Sequence, residues 1–225
     1  MKPVPDLHIA VFTKPLVPGR VKTRLIPSVG AEKATAIQRA MLWNTLSVAR
    51  DVAGEQVSLW VAGDSEHWTL QPFRDAFAPT TRAQHGLDLG TRMRSAMATL
   101  LTAHARVLLV GCDCPVLSAN DVRAAAAALD DDHKDAVFIP VEDGGYVLIG
   151  LKTRLGPARQ KAVLDAVFNG IPWSTEQVMV KTRARLAAAG LCWAEQPTLW
   201  DMDRPEDLQR AEAMEVLDQW IGDHE

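Results

Sequence analysis

The chain has 225 residues, 48% of them hydrophobic, which is enough apolar content for a sizeable core, and we read residues 1–225 as one domain. Lys plus Arg number 24 against 28 for Asp plus Glu, and the resulting net charge of -4 argues against a general nucleic-acid or membrane-surface binder. With no apolar run of about eighteen residues and no signal-like N-terminus, the expectation is a soluble cytoplasmic protein without nucleic-acid or membrane partners.

LHIAVFT, residues 7 to 13, is a short apolar run rich in β formers and predicts a buried strand. It runs into KPLVPGRVKTRL, in which Pro15, Pro18 and Gly19 shape a turn and Lys14, Arg20, Lys22 and Arg24 supply four cations. A basic loop between a core strand and a helix suits a phosphate cradle, because several donors can grip one diphosphate; a solvated basic loop is the plainer alternative. There is no Gly-x-x-x-x-Gly-Lys pattern, so P-loop ATPase chemistry has no support. From Ala31 to about Ala53 the positions Ile37, Met41, Leu42, Leu46 and Ala49 repeat near helical spacing and predict a long amphipathic helix.

Val57 to Gly63 reads as a second strand, Trp68 to Phe77 as a short helix, and Thr81 to Gln84 as a third strand. The loop QHGLDLGTRM follows, offering Gly86, Asp88, Gly90 and Arg92, together with Gln84, as base or ribose contacts, although loops use such residues anyway. Leu89 to His104 reads as helix, and Arg106 to Gly111 as the strongest parallel-strand signal. At its end GCDCPVL places Asp113 as a lone charge in an apolar setting, where it can hold a divalent cation together with substrate phosphates; Ser118 and Asn120 are better placed to cap the helix predicted from Ala119 to Leu129. Cys112, Cys114 and Cys192 cannot form an even disulfide framework. The first two read as small buried residues rather than a metal clip.

Asp135 to Val141 and Gly145 to Leu151 are strands too close for a helical crossover, so they form a hairpin or belong to different sheets, and the fold is not purely parallel. Asp143 in the turn between them is either a ligand contact or a simple Asp-Gly turn residue. IPWSTEQV predicts a helix start at Ser174 or Thr175, the helix running to Ala189 with Gly190 as its stop. Leu191 to Glu195 begins a last strand, and a final helix starts after Asp203. In WDMDRPEDL, Asp201 and Asp203 share a side of an extended segment; Asp203 serves as N-cap or as metal ligand, with the two roles evenly balanced. Alternating strands and helices give a three-layer α/β/α sandwich on a mostly parallel mixed sheet, with ligands expected at the carboxyl ends of strands.

Taken together, FTKPLVPGRVKTRL, QHGLDLGTRM, GCDCPVL, DGGYVLIGL, IPWSTEQV and DMDRPEDL resemble a family of small bacterial proteins with the nucleotide-diphospho-sugar transferase fold, GT-A. Its members are assigned as glycosyltransferases, some in arsenosugar biosynthesis. The resemblance implies a metal-dependent transferase with a nucleotide-activated sugar donor and a small-molecule acceptor. Asp113 and Asp203 would hold Mg2+ or Mn2+, and Asp143 or Asp203 would serve as general base. Lys14, Gly19, Arg20, Lys22, Arg24, Gln84, Gly86 and Asp88 would contact the nucleotide. Where such transferases often carry Asp-x-Asp, this chain reads Asp113-Cys114-Pro115. The first loop also resembles guanylyltransferases that activate phospholactate or molybdenum cofactor, so nucleotidyl transfer from a nucleoside triphosphate is the alternative. A non-catalytic nucleotide-binding module is a third reading, and the sequence leaves the oligomeric state open.

Overall fold

The computed structural model describes residues 2–153 and 156–214. Seven strands make one sheet: β1 (Leu7–Thr13), β2 (Val57–Val61), β3 (Thr80–Ala83), β4 (Arg106–Gly111), β5 (Ala136–Pro140), β6 (Tyr146–Lys152) and β7 (Trp193–Glu195). Their order is β3-β2-β1-β4-β6-β5-β7. Every neighbouring pair is parallel except β6 with β4 and β5, so the pair of strands around Asp143 is a hairpin and β6 is the reversed strand. The reversal brings the start of β6 to the edge where the parallel strands end.

Among the described residues seven α-helices cover the sheet: α1 (Ile26–Ala53), α2 (Gln71–Phe77), α3 (Leu89–Leu100), α4 (Ala119–Ala128), α5 (Pro157–Phe168), α6 (Val178–Ala188) and α7 (Pro205–Ala213). The five inner strands are buried on both faces while the edge strands β3 and β7 are partly exposed, and alternate residues of the inner strands feed two cores. Leu7, Ile9 and Val11 of β1 and Leu108 and Val110 of β4 pack with Leu42 and Leu46 of α1, Phe73 of α2 and Val122 of α4. Ala10, Phe12, Val107 and Leu109 turn the other way, onto Met93 and Met97 of α3, Val163 and Val167 of α5 and Leu186 of α6. A third cluster joins Ile37 and Met41 of α1 to Leu208 and Ala211 of α7 through Trp200 and Met202. Each fully buried Leu or Ile contributes about 1.5–3 kcal/mol, so the two-sided burial rather than any single contact holds the sandwich together.

Helix α1 is two pieces. A turn from Ile26 meets Gly30, whose φ of 80° breaks the helical path, and the main helix runs on from Ala31, where the apolar periodicity begins. The sequence reading assigns nothing between Leu151 and Ser174, yet α5 lies there. Its first turn carries Arg159, Gln160 and Lys161, which hide the apolar face made by Val163, Leu164, Val167 and Phe168. The helix expected from Ser174 starts instead at Val178, because Ser174 takes a left-handed φ of 62° that a helix cannot absorb. Asp203 is not a helix cap either. The carboxylate of Asp207 accepts the backbone N–H groups of Asp203 (3.0 Å) and Arg204 (2.7 Å), and this leaves the Asp203 side chain free for another partner.

Candidate active site

At the edge where the parallel strands end lies a cavity of about 570 Å³. The loop after β1 builds one wall. A bond from the Arg20 N–H to the Val17 carbonyl (2.9 Å) closes a turn with Pro18 second and Gly19, at φ 82°, third, the arrangement a type II turn requires. The loop is pinned by Leu16, fully buried, whose N–H donates to Thr69 Oγ1 at 3.0 Å. The turn leaves Gly19 and Arg20 outside the cavity wall and brings Lys14, Lys22, Thr23 and Arg24 into it.

Lys22 is the centre of the arrangement. Its side chain is 3% exposed, and its Nζ lies 2.6 Å from Asp113 Oδ1 and 2.9 Å from Asp203 Oδ1. Burial pulls the pKa of this ammonium down, but the two carboxylates outweigh burial and hold it above the usual lysine range. Arg24 adds a second cation to Asp203 at 3.3 Å. Burial acts to raise the pKa of Asp203, and Lys22, Arg24 and Lys14 together hold it below the ordinary carboxylate value. The backbone supports the geometry. Lys22 sits at φ 45°, and the Met202 N–H donates to the Asp113 carbonyl at 2.8 Å, strapping the Asp201–Asp203 segment onto the end of β4. That segment arrives there because Leu199 continues the parallel pairing of β7 alongside β5.

Asp201 has the opposite environment to Asp203. Burial first, then the charges of Asp143 and Asp203, push its carboxyl up to about 6. Asp143 itself is exposed on the hairpin turn, outside the cavity lining, where its Oδ1 accepts the Gly145 N–H at 2.8 Å. Cys112 and Cys114, either side of Asp113, are buried thiols: burial first, aided for Cys112 by Asp113 and for Cys114 by Asp201, pushes them up to about 12 and about 11. They pack as small core residues, as their spacing suggests.

The loop after β3 divides. Gln84 lines the cavity and its Nε2 donates to the carbonyls of Thr13 (3.1 Å) and Trp60 (2.9 Å), tying the ends of β1 and β2. Gly86 and Asp88 lie outside the lining. Asp88 caps α3 by accepting the Thr91 N–H at 2.7 Å, and the Gly86 carbonyl accepts Arg92 Nε at 3.0 Å. Arg92, expected from the same loop, does line the cavity, and so does Leu89. Several lining residues escape the sequence reading, two of them polar side chains on core elements. Gln38 of α1, 4% exposed, donates through Nε2 to the carbonyl (3.3 Å) and Sγ (3.2 Å) of Cys112 and so steadies the residue before Asp113. Its signal is a polar residue on the buried face of an amphipathic helix. The other is Tyr146, at the start of β6.

A family model described as an uncharacterized protein conserved in bacteria, DUF2064, matches residues 45–175. The chain belongs to this family. The matched stretch of the DUF2064 chain contains Gln84, Asp113, Asp143 and Tyr146, while the basic loop and Asp203 lie on either side of it. Among solved structures, the DUF2064 chain is similar to one from Desulfovibrio desulfuricans G20 that is provisionally named a nucleotide-diphospho-sugar transferase. The two are 26% identical over 96% of this chain and 99% of that one, with a TM-score of 0.78. It shares its fold with a cytidylyltransferase from Leptospira borgpetersenii serovar Hardjo-bovis (12% identity, 94% and 87% of the two chains, TM-score 0.59). It also shares the fold with a 4-diphosphocytidyl-2C-methyl-D-erythritol synthase from Anaerococcus prevotii (12%, 93% and 96%, TM-score 0.58). No curated protein matches the chain. The expected nucleotide-diphospho-sugar transferase sandwich is therefore the architecture of this protein.

Proposed function

We propose that the protein transfers a sugar from a nucleoside diphosphate sugar to a small hydroxyl acceptor. The observation that carries this reading is the buried Lys22 ammonium held between Asp113 and Asp203 inside the cavity. A cation so placed, with Lys14, Arg24 and Arg92 around it, meets a diphosphate at the point where charge grows as the anomeric carbon–oxygen bond breaks. The likeness to the Desulfovibrio protein along nearly its whole length supports the same direction.

The donor groups present suit Mg2+ or Mn2+, which favour carboxylate and phosphate oxygens. Among the described residues no three His, Cys, Asp or Glu side chains converge to hold an ion alone, so Asp113 and Asp203 would share it with the substrate's own phosphates. Bound there, the ion would neutralise part of the leaving diphosphate. Lys22 then turns from carboxylate to phosphate and donates to the leaving oxygen. Asp203, its proton affinity held down by Lys22, Arg24 and Lys14, is a poor base. The proton released as the acceptor oxygen attacks the sugar would leave the cavity through water to Asp201 on the neighbouring strap, whose proton affinity is raised by burial first and then by the charges of Asp143 and Asp203.

One feature favours nucleotidyl transfer as the second reading. Pro115 stands where an Asp-x-Asp would have its second carboxylate, and a triphosphate attacked at its α-phosphate uses the same cations. Incubation with nucleoside triphosphates and with nucleoside diphosphate sugars, Mn2+ present, separates the two. Release of a nucleoside diphosphate that requires Asp113 supports sugar transfer, and pyrophosphate release replaces it with the second reading. An Asp113→Asn protein with undiminished turnover sinks both.

A further inference from the structure

The β6 wall of the cavity carries a hydroxyl with no partner. Tyr146 borders the cavity, and its phenol oxygen is closed to solvent and bonded to no protein atom. A buried donor left unsatisfied is disfavoured, so something other than its own hydrogen bond must keep it there. Packing does. Phe138 meets the Tyr146 ring edge-on at 5.3 Å and 61°, and Trp173 at 6.3 Å and 87°. Trp173 is itself fixed against the first turn of α3, where Gly90 leaves room that a side chain would take from the indole Nε1 and Cε2. Gly144, at φ 87°, lies beneath the Glu176 carbonyl, and the Met179 N–H donates to the Gly144 carbonyl at 2.9 Å. The segment holding Trp173 and the cavity-lining Ser174 is thereby tied to the turn that leads into Tyr146. Burial pushes the phenol pKa up, which keeps the group a neutral donor.

The sheet places this donor on a definite side. The cations of the basic loop follow β1, Asp113 follows β4, and β6 is the next strand beyond β4, away from β2 and β3. At about 4.8 Å per strand, β6 lies roughly 10 Å from β1. A ligand whose diphosphate rests at Lys22 has one end over β1 to β3 and the other against β6.

We infer that Tyr146 is a specificity residue whose hydroxyl bonds to the transferred group, a hydroxyl-bearing sugar, and makes no bond to the nucleotide. This rests on the nucleoside diphosphate sugar reading above. The substitution Tyr146→Phe removes the oxygen and keeps the packing, so the free protein should lose no thermal stability, since no bond is broken. Calorimetric titration with UDP and UDP-glucose, repeated with the GDP pair, reads the other half. Tyr146→Phe should weaken the sugar nucleotide about tenfold, the worth of one neutral hydrogen bond, and leave the nucleoside diphosphate unchanged. A drop in the free protein's Tm overturns the inference, as do equal affinities for the sugar nucleotide or equal losses for both ligands. Wild-type protein that binds neither member of any pair overturns the nucleotide reading itself and this inference with it. Wild-type binding that survives Tyr146→Phe intact overturns the inference alone.

Discussion

Replacing Lys22 by Met keeps a side chain of similar reach and deletes the ammonium that joins Asp113 and Asp203. In the wild type that ammonium is nearly sealed, at 3% exposure, while the carboxylates are 52% and 42% exposed. Breaking a fully buried pair costs about 3–5 kcal/mol, and half-exposed carboxylates can recover part of their hydration, so the expected loss at pH 7 is about 2–3 kcal/mol. For a domain of this size that is on the order of 5–10 °C in Tm. The pH dependence is the sharper readout. In the wild type Asp203 has a lowered pKa, so its contribution is present above the unfolded carboxylate value and lost as pH falls through the folded one. In Lys22→Met the Asp203 carboxylate loses its main cation, so its proton affinity rises and stability lost at pH 8 returns as the solution is acidified toward pH 5. Adding Asp203→Asn to Lys22→Met should restore about 1–2 kcal/mol, a coupling readable in a double-mutant cycle. Urea denaturation followed by circular dichroism between pH 5 and 8 measures all of this. A Lys22→Met protein as stable as wild type, with the same pH profile, refutes the claim that the ammonium neutralises the pair.

Asp201 carries the opposite sign. Its folded pKa of about 6 exceeds the unfolded value, so its ionisation erodes stability as pH rises through that window. Asp201→Asn should therefore gain stability at pH 7 to 8, by at most about 2–3 kcal/mol, with the gain fading below pH 4; a loss at pH 8 contradicts the burial and repulsion assigned to it. Asp135, 2% exposed, accepts Arg159 through both oxygens (2.6 and 2.8 Å) and the Cys192 N–H (2.8 Å), anchoring α5 and the start of β7. Asp135→Ala should cost about 1–3 kcal/mol in chemical denaturation, and an unchanged midpoint would show the anchor to be idle.

Much of the sandwich is legible in the residues because buried strands such as LHIAVFT and RVLLVG are apolar throughout, and the α1 face repeats at helical spacing. Helix α5 escapes that reading, since its polar first turn masks a short apolar stripe. Lys14, Lys22, Arg24, Gln84, Asp113 and Asp203 gather at one cavity, while Gly19, Arg20, Gly86, Asp88 and Asp143 stand outside its lining. Asp88 illustrates the difficulty, because the same Asp in a glycine-containing loop serves a ligand or a helix N-cap, and only the neighbouring Thr91 N–H decides it. Composition leaves Asp203 evenly divided between cap and ligand contact, and what decides it is that its carboxylate accepts Lys22 and Arg24, while the residue at the helix cap is Arg204. The salt bridge from Lys22 has no local signature at all.

That salt bridge spans 181 positions of the chain, from the loop after the first strand to the strap after the last. On the ribosome, Lys22 emerges early and must wait for almost the whole polypeptide before Asp203 appears. The Lys22–Asp203 bridge thus cannot form until the strap has been made, and a ligand that needs both residues cannot be held earlier. Nascent or truncated products ending before Met202 lack Asp203, and Lys22 would keep Asp113 alone as its counter-charge.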